Sequence, residues 1–382
     1  MKAGKRAMGW AMTLFMVFSM LPFTQTVSMA DETLSATIYV ASDGDDTTGD
    51  GTQANPYKTL AKAKEVVRSL PKTGGDIIVQ IADGFYPLDE TLVFDANDSG
   101  SESCTVRYEA APGAKPVISG GKMLDKGVWT EATDLTQTGG LTAYKTTLHR
   151  DEKLRAIYVN NRRANMTLSN TITSGSRTTT GTPTVSFTSA DNTWAWQNGN
   201  NIRAAIVFDA SVGLTPDTKN PQNIEAESLG GARWARPFVC FASAEEAPEA
   251  SGKPGGTMLR FQMPYAAISQ SLSNNTQYNP NNNQVIRNAF EFLNKRGDFY
   301  FDQAEHTLYY IPLEGEDINT ADVVIPELET VIDIRGIPVG DRLNPVSNSD
   351  EGRVKYITFD GLTFAHTDYK LYELEGTYTL SY

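Results

Sequence analysis

The sequence is poor in cysteine, in histidine and in positive charge. Only Cys104 and Cys240 occur in 382 residues, too few for a disulfide-built framework even in an exported protein. Nothing in the sequence indicates that their α-carbons come within bridging reach. The three histidines, His149, His306 and His366, are far apart along the chain, so a zinc site of tetrahedral spacing is not expected. No Ser-His-Asp or Cys-His arrangement has local support. Gly49 to Gly51 lacks the following Lys-Ser/Thr of a phosphate loop. Lysine and arginine total 33 against 46 acids, a formal net charge of −13. Nucleic-acid affinity depends on cations that neutralise phosphates, so no nucleic-acid partner is expected.

Long apolar runs are also missing, with one exception. Lys2, Lys5 and Arg6 precede an apolar stretch over residues 8–23, and Ser28-Met29-Ala30 supplies small residues where a signal peptidase reads. Pro22, Thr24, Gln25 and Thr26 end the stretch too early for a span of roughly 20 apolar residues. Residues 1–30 are therefore expected to be a cleaved export signal, which places the mature chain outside the cell or on its surface. No membrane span is expected in the mature part.

What the chain does have is a succession of short β-rich segments between turn formers. Residues 37–40 have strand composition and run into a loop over residues 42–51 rich in Asp, Thr and Gly. Thr59 can cap a helix whose Leu60, Ala63, Val66 and Val67 share one face, and Pro71 with Gly74-Gly75 ends it. It is the only convincing helix. Segments 77–81, 91–94, 105–108 and 117–118 follow, separated by Asp83-Gly84, residues 97–100 and Pro112-Gly113. This texture indicates a stacked or sandwiched all-β region rather than alternating βαβ units. No exact repeat is present, but stacked coils need only keep their inward apolar residues in register.

From about residue 126 short apolar groups alternate with long polar loops, among them 171–182 and the Asn-rich 273–284. Loops of this length are uncommon unless they serve a function, so a separate β-rich domain is expected over residues 126–320. Segments 323–325, 331–334 and 356–364 return to the earlier style, the last one broken by Asp360-Gly361 like a coil turning a corner. A coil stack without a polar cap exposes strand backbone and apolar core. Further coils, or a partner chain covering the stack end, are therefore expected beyond Tyr382.

Several segments together resemble exported bacterial right-handed parallel β-helix proteins of the glycoside hydrolase groups that include families 120, 136 and 141. They are Tyr39-Val40-Ala41-Ser42-Asp43-Gly44 with Pro56-Tyr57-Lys58-Thr59-Leu60, Ile157-Tyr158-Val159-Asn160-Asn161-Arg162-Arg163-Ala164-Asn165, and Gly297-Asp298-Phe299-Tyr300-Phe301-Asp302 with Leu308-Tyr309-Tyr310-Ile311-Pro312. Ile357-Thr358-Phe359-Asp360-Gly361-Leu362-Thr363-Phe364 completes the set, and the order agrees as well as the content. The resemblance implies an all-β fold: a right-handed parallel β-helix, a single-stranded solenoid, with an N-terminal capping helix and an inserted β-rich domain. The cap and first coils would occupy residues 31–125, the insert 126–320 and the resumed coils 321–382. It also implies a glycan substrate, since such enzymes remove xylose, fucose or lacto-N-biose units. Their catalytic carboxylates generally sit on later coils, and no motif here carries one over.

Glycoside cleavage needs two carboxyl groups, one to protonate the leaving oxygen and one to attack or to activate water. His366, Asp368, Glu373 and Glu375, directly after the last β-rich segment, are the catalytic candidates by position, although solvated loop residues would look the same. Asp43, Asp45, Asp46 and Asp50 are the calcium candidates. They lack the regular calcium-loop spacing and its terminal Glu, and a turn held by Asp side chains is the blander account. Trp194, Trp196, Trp234 and Tyr278 could stack on sugar rings or fill a β-domain core. Tyr278, in the Asn-rich loop, is the expected substrate-binding residue. A glycoside hydrolase is the leading functional expectation. A non-catalytic glycan-binding adhesion protein and a polysaccharide lyase are the alternatives.

Overall fold

The computed structural model describes residues 36–187, 199–231, 235–271, 277–336, 352–369 and 380–381. The expected leader, Trp194, Trp196, Trp234, Glu373 and Glu375 lie outside the described residues. Strands dominate, and two α-helices, Leu60–Ser69 and Tyr265–Ser271, accompany them.

Three all-parallel sheets surround the first core. The first contains Ala36–Val40, Ile77–Ile81, Val106–Ala110 and Ile357–Asp360, with Ile38, Val79, Tyr108 and Phe359 in one ladder. The second contains Phe85–Pro87, Val117–Ser119 and Thr363–Ala365, and the third pairs Leu92–Phe94 with Ile332–Ile334. The chain visits these sheets in a repeating order, first, second, third. Period-2 alternation explains the register: Ile77, Val79 and Ile81 face inward while Ile78 and Gln80 face out. At the centre Phe94 meets Tyr108 edge-on at 5.4 Å, and Tyr108 stacks on Phe359 at 5.4 Å. Each such ring contributes roughly 1.5–3 kcal/mol by burial alone.

The first helix adds Leu60, Ala63 and Val67 to this core. The expected cap is present: Thr59 Oγ1 accepts from the Lys62 amide at 3.1 Å. Arg68 donates twice to Asp98, at 2.9 and 2.6 Å, tying the helix to the turn that follows Leu92–Phe94. Among the described residues, no strand lies beyond Ile357–Asp360 and Thr363–Ala365 in their sheets, and Ile334, Tyr356 and Phe364 are exposed there.

Between Ser119 and Ile332 the chain builds a different structure. Arg177–Thr178, Ala205–Phe208, Thr257–Phe261, Phe238–Glu246, Glu225–Ser228 and Gln284–Arg287 form an antiparallel six-stranded sheet. A five-stranded sheet holds Asn165–Met166, Asp298–Asp302, Thr307–Tyr310, Tyr144–Thr147 and Thr130–Glu131. Its one parallel pairing joins Asn165–Met166 to Asp298–Asp302. These sheets have apolar clusters of their own, one around Phe208, Phe241 and Phe261, another around Phe299, Phe301 and Tyr310.

Two expectations need correction. The helix Tyr265–Ser271 was not anticipated, because seven residues are too few to display a helical period. Residues 323–325 were expected to return with the coils. The strand Val323–Pro326 instead pairs antiparallel with Tyr158–Val159 and Gly121–Met123 and packs in the cluster of Phe299 and Phe301. Four buried residues in a row carry no alternation that would distinguish the two destinations.

Candidate functional site

His366 and Asp368, chosen for their position after the last coil, turn inward. Thr363–Ala365 ends at His366, whose left-handed φ of 61° reverses the chain. The imidazole then lies between Ser119 Oγ and Asn161 Oδ1, each at 3.0 Å, with the Tyr158 ring edge-on at 4.8 Å. Burial pushes its pKa below the ordinary histidine value. The Asp368 side chain is 1% exposed and accepts from Arg150 Nη2 at 2.6 Å. Its amide donates to Leu328 O at 2.8 Å. Removing one partner of such a buried pair is costly because the other charge is stranded. Both side chains join the last described parallel strand to the β-region that follows Ser119.

The Asp-rich loop is likewise built on itself. Asp45 Oδ1 accepts from the Thr47 and Thr48 amides at 2.7 and 2.8 Å, and Asp50 Oδ1 accepts from Thr52. Asp46 holds the Lys58 and Thr59 amides and the Thr59 hydroxyl. Backbone amides from Thr48 and Thr47 keep the Asp45 carboxyl below its usual range. A β-carbon on Gly49 would stand 2.2 Å from Asp45 O, so the turn admits only glycine there. Asp45, Asp46 and Asp50 thus hold the turn with their own side chains. Among the described residues no group of three or more His, Cys, Asp or Glu could hold a metal. Cys104 and Cys240 are both buried and unbridged.

Tyr278, the candidate for sugar stacking, takes instead the packing role that the sequence also offered. It is 1% exposed, edge-on to Phe261 at 5.6 Å, and its amide donates to Ser269 O, so no face is left for a sugar ring. Burial pushes its phenol pKa up. The Asn-rich composition of the preceding loop signalled solvent, but the ring itself closes the cluster beneath the six-stranded sheet.

Sequence reasoning missed a cleft of about 440 Å³ between the two larger sheets of the middle region. Glu225 and Asp298 line it from different strands. Glu225 opens Glu225–Ser228 and accepts from Lys153 Nζ and Arg155 Nη2, each at 2.5 Å. Burial pushes this carboxyl up, but the two cations outweigh burial and bring it down to about 2. Asp298 opens the strand Asp298–Asp302, and its Oδ2 accepts from the Lys295 amide at 3.1 Å. Burial wins here and pushes Asp298 up to about 6. Asp302, at the other end of the same strand, shows what a partner does: Lys219 and Asn220 outweigh its burial and hold it low. One cleft thus contains a carboxyl that two cations hold low and a carboxyl that burial pushes up.

The mouth of this cleft carries Tyr369, 49% exposed, whose amide donates to Asp368 Oδ1 at 2.8 Å. Asp368 thus holds the Tyr369 amide and does not itself line the cleft. Met166 and Leu168 supply an apolar floor. Leu168 and Lys295 also line an adjoining cleft of about 520 Å³, edged by Ser169, Asn170, Thr171 and Ser176. In its wall Gln137 Nε2 and Glu291 Oε2 are buried without a hydrogen-bond partner, and burial pushes the Glu291 carboxyl up.

No family model matches the sequence, and no curated protein matches it. A solved structure named "Glycoside hydrolase" is similar with a TM-score of 0.63 at 20% identity, over 87% of this chain and 51% of that one. The chain therefore spans about half the length of that protein, and at this identity the likeness speaks to fold alone. A second, "The complex structure of XylC with xylose", has a TM-score of 0.32 at 13% identity over 87% of this chain and 35% of that one. At that score it carries no argument.

Proposed function

We propose that the protein is a carbohydrate-active β-helix protein of the glycoside hydrolase kind that engages a glycan in the paired clefts beside Tyr369. In this reading the parallel strands up to Ser119 and from Ile332 onward wind as right-handed coils, the chain between them forms the inserted β-rich domain, and the leader at 1–30 directs the chain to the cell exterior, where glycans are met. The repeating order of the three parallel sheets and the fold likeness to a glycoside hydrolase support this architecture. The functional reading is carried by one observation: the buried carboxyl of Asp298 and the half-exposed Tyr369 line one cleft, which shares Leu168 and Lys295 with a second, polar cleft. Aromatic faces suit the apolar face of a sugar ring, and a carboxyl titrating near 6 suits proton donation to a glycosidic oxygen.

Glu225 favours a second reading. Both Lys153 and Arg155 bind its Oε1, which makes it a poor nucleophile and a good anchor. Binding without cleavage follows if no other carboxylate serves Asp298. The test measures binding and reducing-end release on a panel of oligosaccharides, using the longest natural form of the protein. Hydrolysis is expected to fall at least about a hundredfold in Asp298→Asn, whereas binding alone, unchanged in D298N, assigns the non-catalytic reading. No binding and no release across the panel would remove both.

A further inference from the structure

The cleft of Glu225 and Asp298 is cationic on an acidic protein. Arg155, Arg163, Arg287 and Lys295 line it against two carboxyls, while the whole chain carries −13. The internal pairings do not consume this excess. Arg155 shares Glu225 with Lys153, and Arg287 shares Glu227 with Arg236. Arg163 and Lys295 have no salt bridge among the described residues; their heads donate to the backbone oxygens of Arg155 and Leu168, at 3.4 and 3.2 Å, and Lys295 also acts on Asp298 through space. Both residues are exposed. A neutral sugar would leave these cations without a partner, whereas a planar carboxylate would meet guanidinium and ammonium donors directly. A cleft of one sign also concentrates ligands of the other sign.

We infer that this cleft takes a sugar residue bearing a carboxylate, a uronic acid, with Arg163 and Lys295 as the residues that select its charge, while the adjoining cleft takes a neutral part of the same glycan. The inference rests on the reading of the paired clefts as a glycan site. The apolar floor of Met166 and Leu168 and the Tyr369 ring suit a pyranose face and would be wasted on a small inorganic anion. The polar adjoining cleft offers Ser, Thr and Asn side chains and no cation beyond the shared Lys295, which suits hydroxyl groups.

The experiment compares trigalacturonic acid with its carboxyl-reduced neutral form by titration calorimetry on the full chain. The acidic trisaccharide is expected to bind at least about tenfold more tightly, and Arg163→Gln or Lys295→Gln should each remove about that factor. Raising sodium chloride should erode the preference. Lys62→Gln, which removes a cation from the first helix, should leave the preference intact. Equal affinity for the two trisaccharides would overturn the inference and leave the glycan reading standing, and so would a preference that survives both R163Q and K295Q. Binding of neither trisaccharide, with none across the wider panel, would overturn the glycan reading as well.

Discussion

The parallel region and the antiparallel region between Ser119 and Ile332 handle charge in opposite ways. The parallel core is filled by Val79, Val106, Phe94, Tyr108 and their neighbours, and its buried charge, Asp98, sits at the rim on Arg68 and Lys64. The antiparallel region buries Glu225, Glu227, Asp298 and Asp302 on its strands. Parallel pairing in register sets like positions side by side, so a charge inside that core would need a partner of its own. A region made of several small sheets leaves seams between them, and carboxyls can be held there at controlled distances from cations. Buried carboxyls therefore gather where the chain departs from the parallel strands.

The comparison can be broken most forcefully at Tyr108. Tyr108→Ala should cost about 3–5 kcal/mol in denaturant unfolding, without altering oligosaccharide affinity in the fraction that stays folded. A selective loss of binding with little loss of stability would merge the two regions. Asp368→Ala tests the fastening between them. It leaves Arg150 with only the longer pair to Glu152 at 3.7 Å and is expected to cost about 3 kcal/mol, and binding should fall because Tyr369 loses the carboxylate that holds its amide. Unchanged stability would show that the pair fastens nothing.

The two cleft carboxyls predict opposite pH effects of similar size. Asp298 has a folded pKa of about 6 against an ordinary 3.8, so the folded state holds a proton that the unfolded chain releases. Stability should therefore fall by about 3 kcal/mol as pH rises from 3.8 through 6, and Asp298→Asn should flatten that window. Glu225 lies at about 2 against 4.5. Its contribution, about 3 kcal/mol, is present above 4.5 and is lost as pH falls through about 2, and Glu225→Gln should abolish that acid dependence. Denaturant titrations across pH 2–8 read both windows, and a profile that D298N and E225Q leave unaltered would remove the electrostatic account. The smallest effect is expected at the helix cap. Thr59→Ala should cost about 1 kcal/mol by thermal unfolding and nothing in binding.

Much of the parallel region was legible. Alternation at Ile77, Val79 and Ile81, the breaks at Asp83-Gly84 and Asp360-Gly361, and the Thr59 cap are local signals that the fold honours. The candidate site was barely legible. Glu225 and Asp298 are distant in sequence, and a lone acid in a β-segment reads as an outward-facing residue until its cations are known. Tyr278 and Asp368 failed for the same reason in reverse: their neighbours are polar, yet Phe261 and Arg150 close over them from remote segments.

Composition and patterning alone therefore determined an all-β chain, the turn chemistry of the Asp-rich loop and the inward face of each coil strand, because these depend on residues close together along the backbone. Which charges are buried, which carboxyl keeps its proton and which aromatic ring stays exposed were decided only by tertiary structure. Desolvation and ion pairing are properties of a place in space, and residues far apart in the chain create that place.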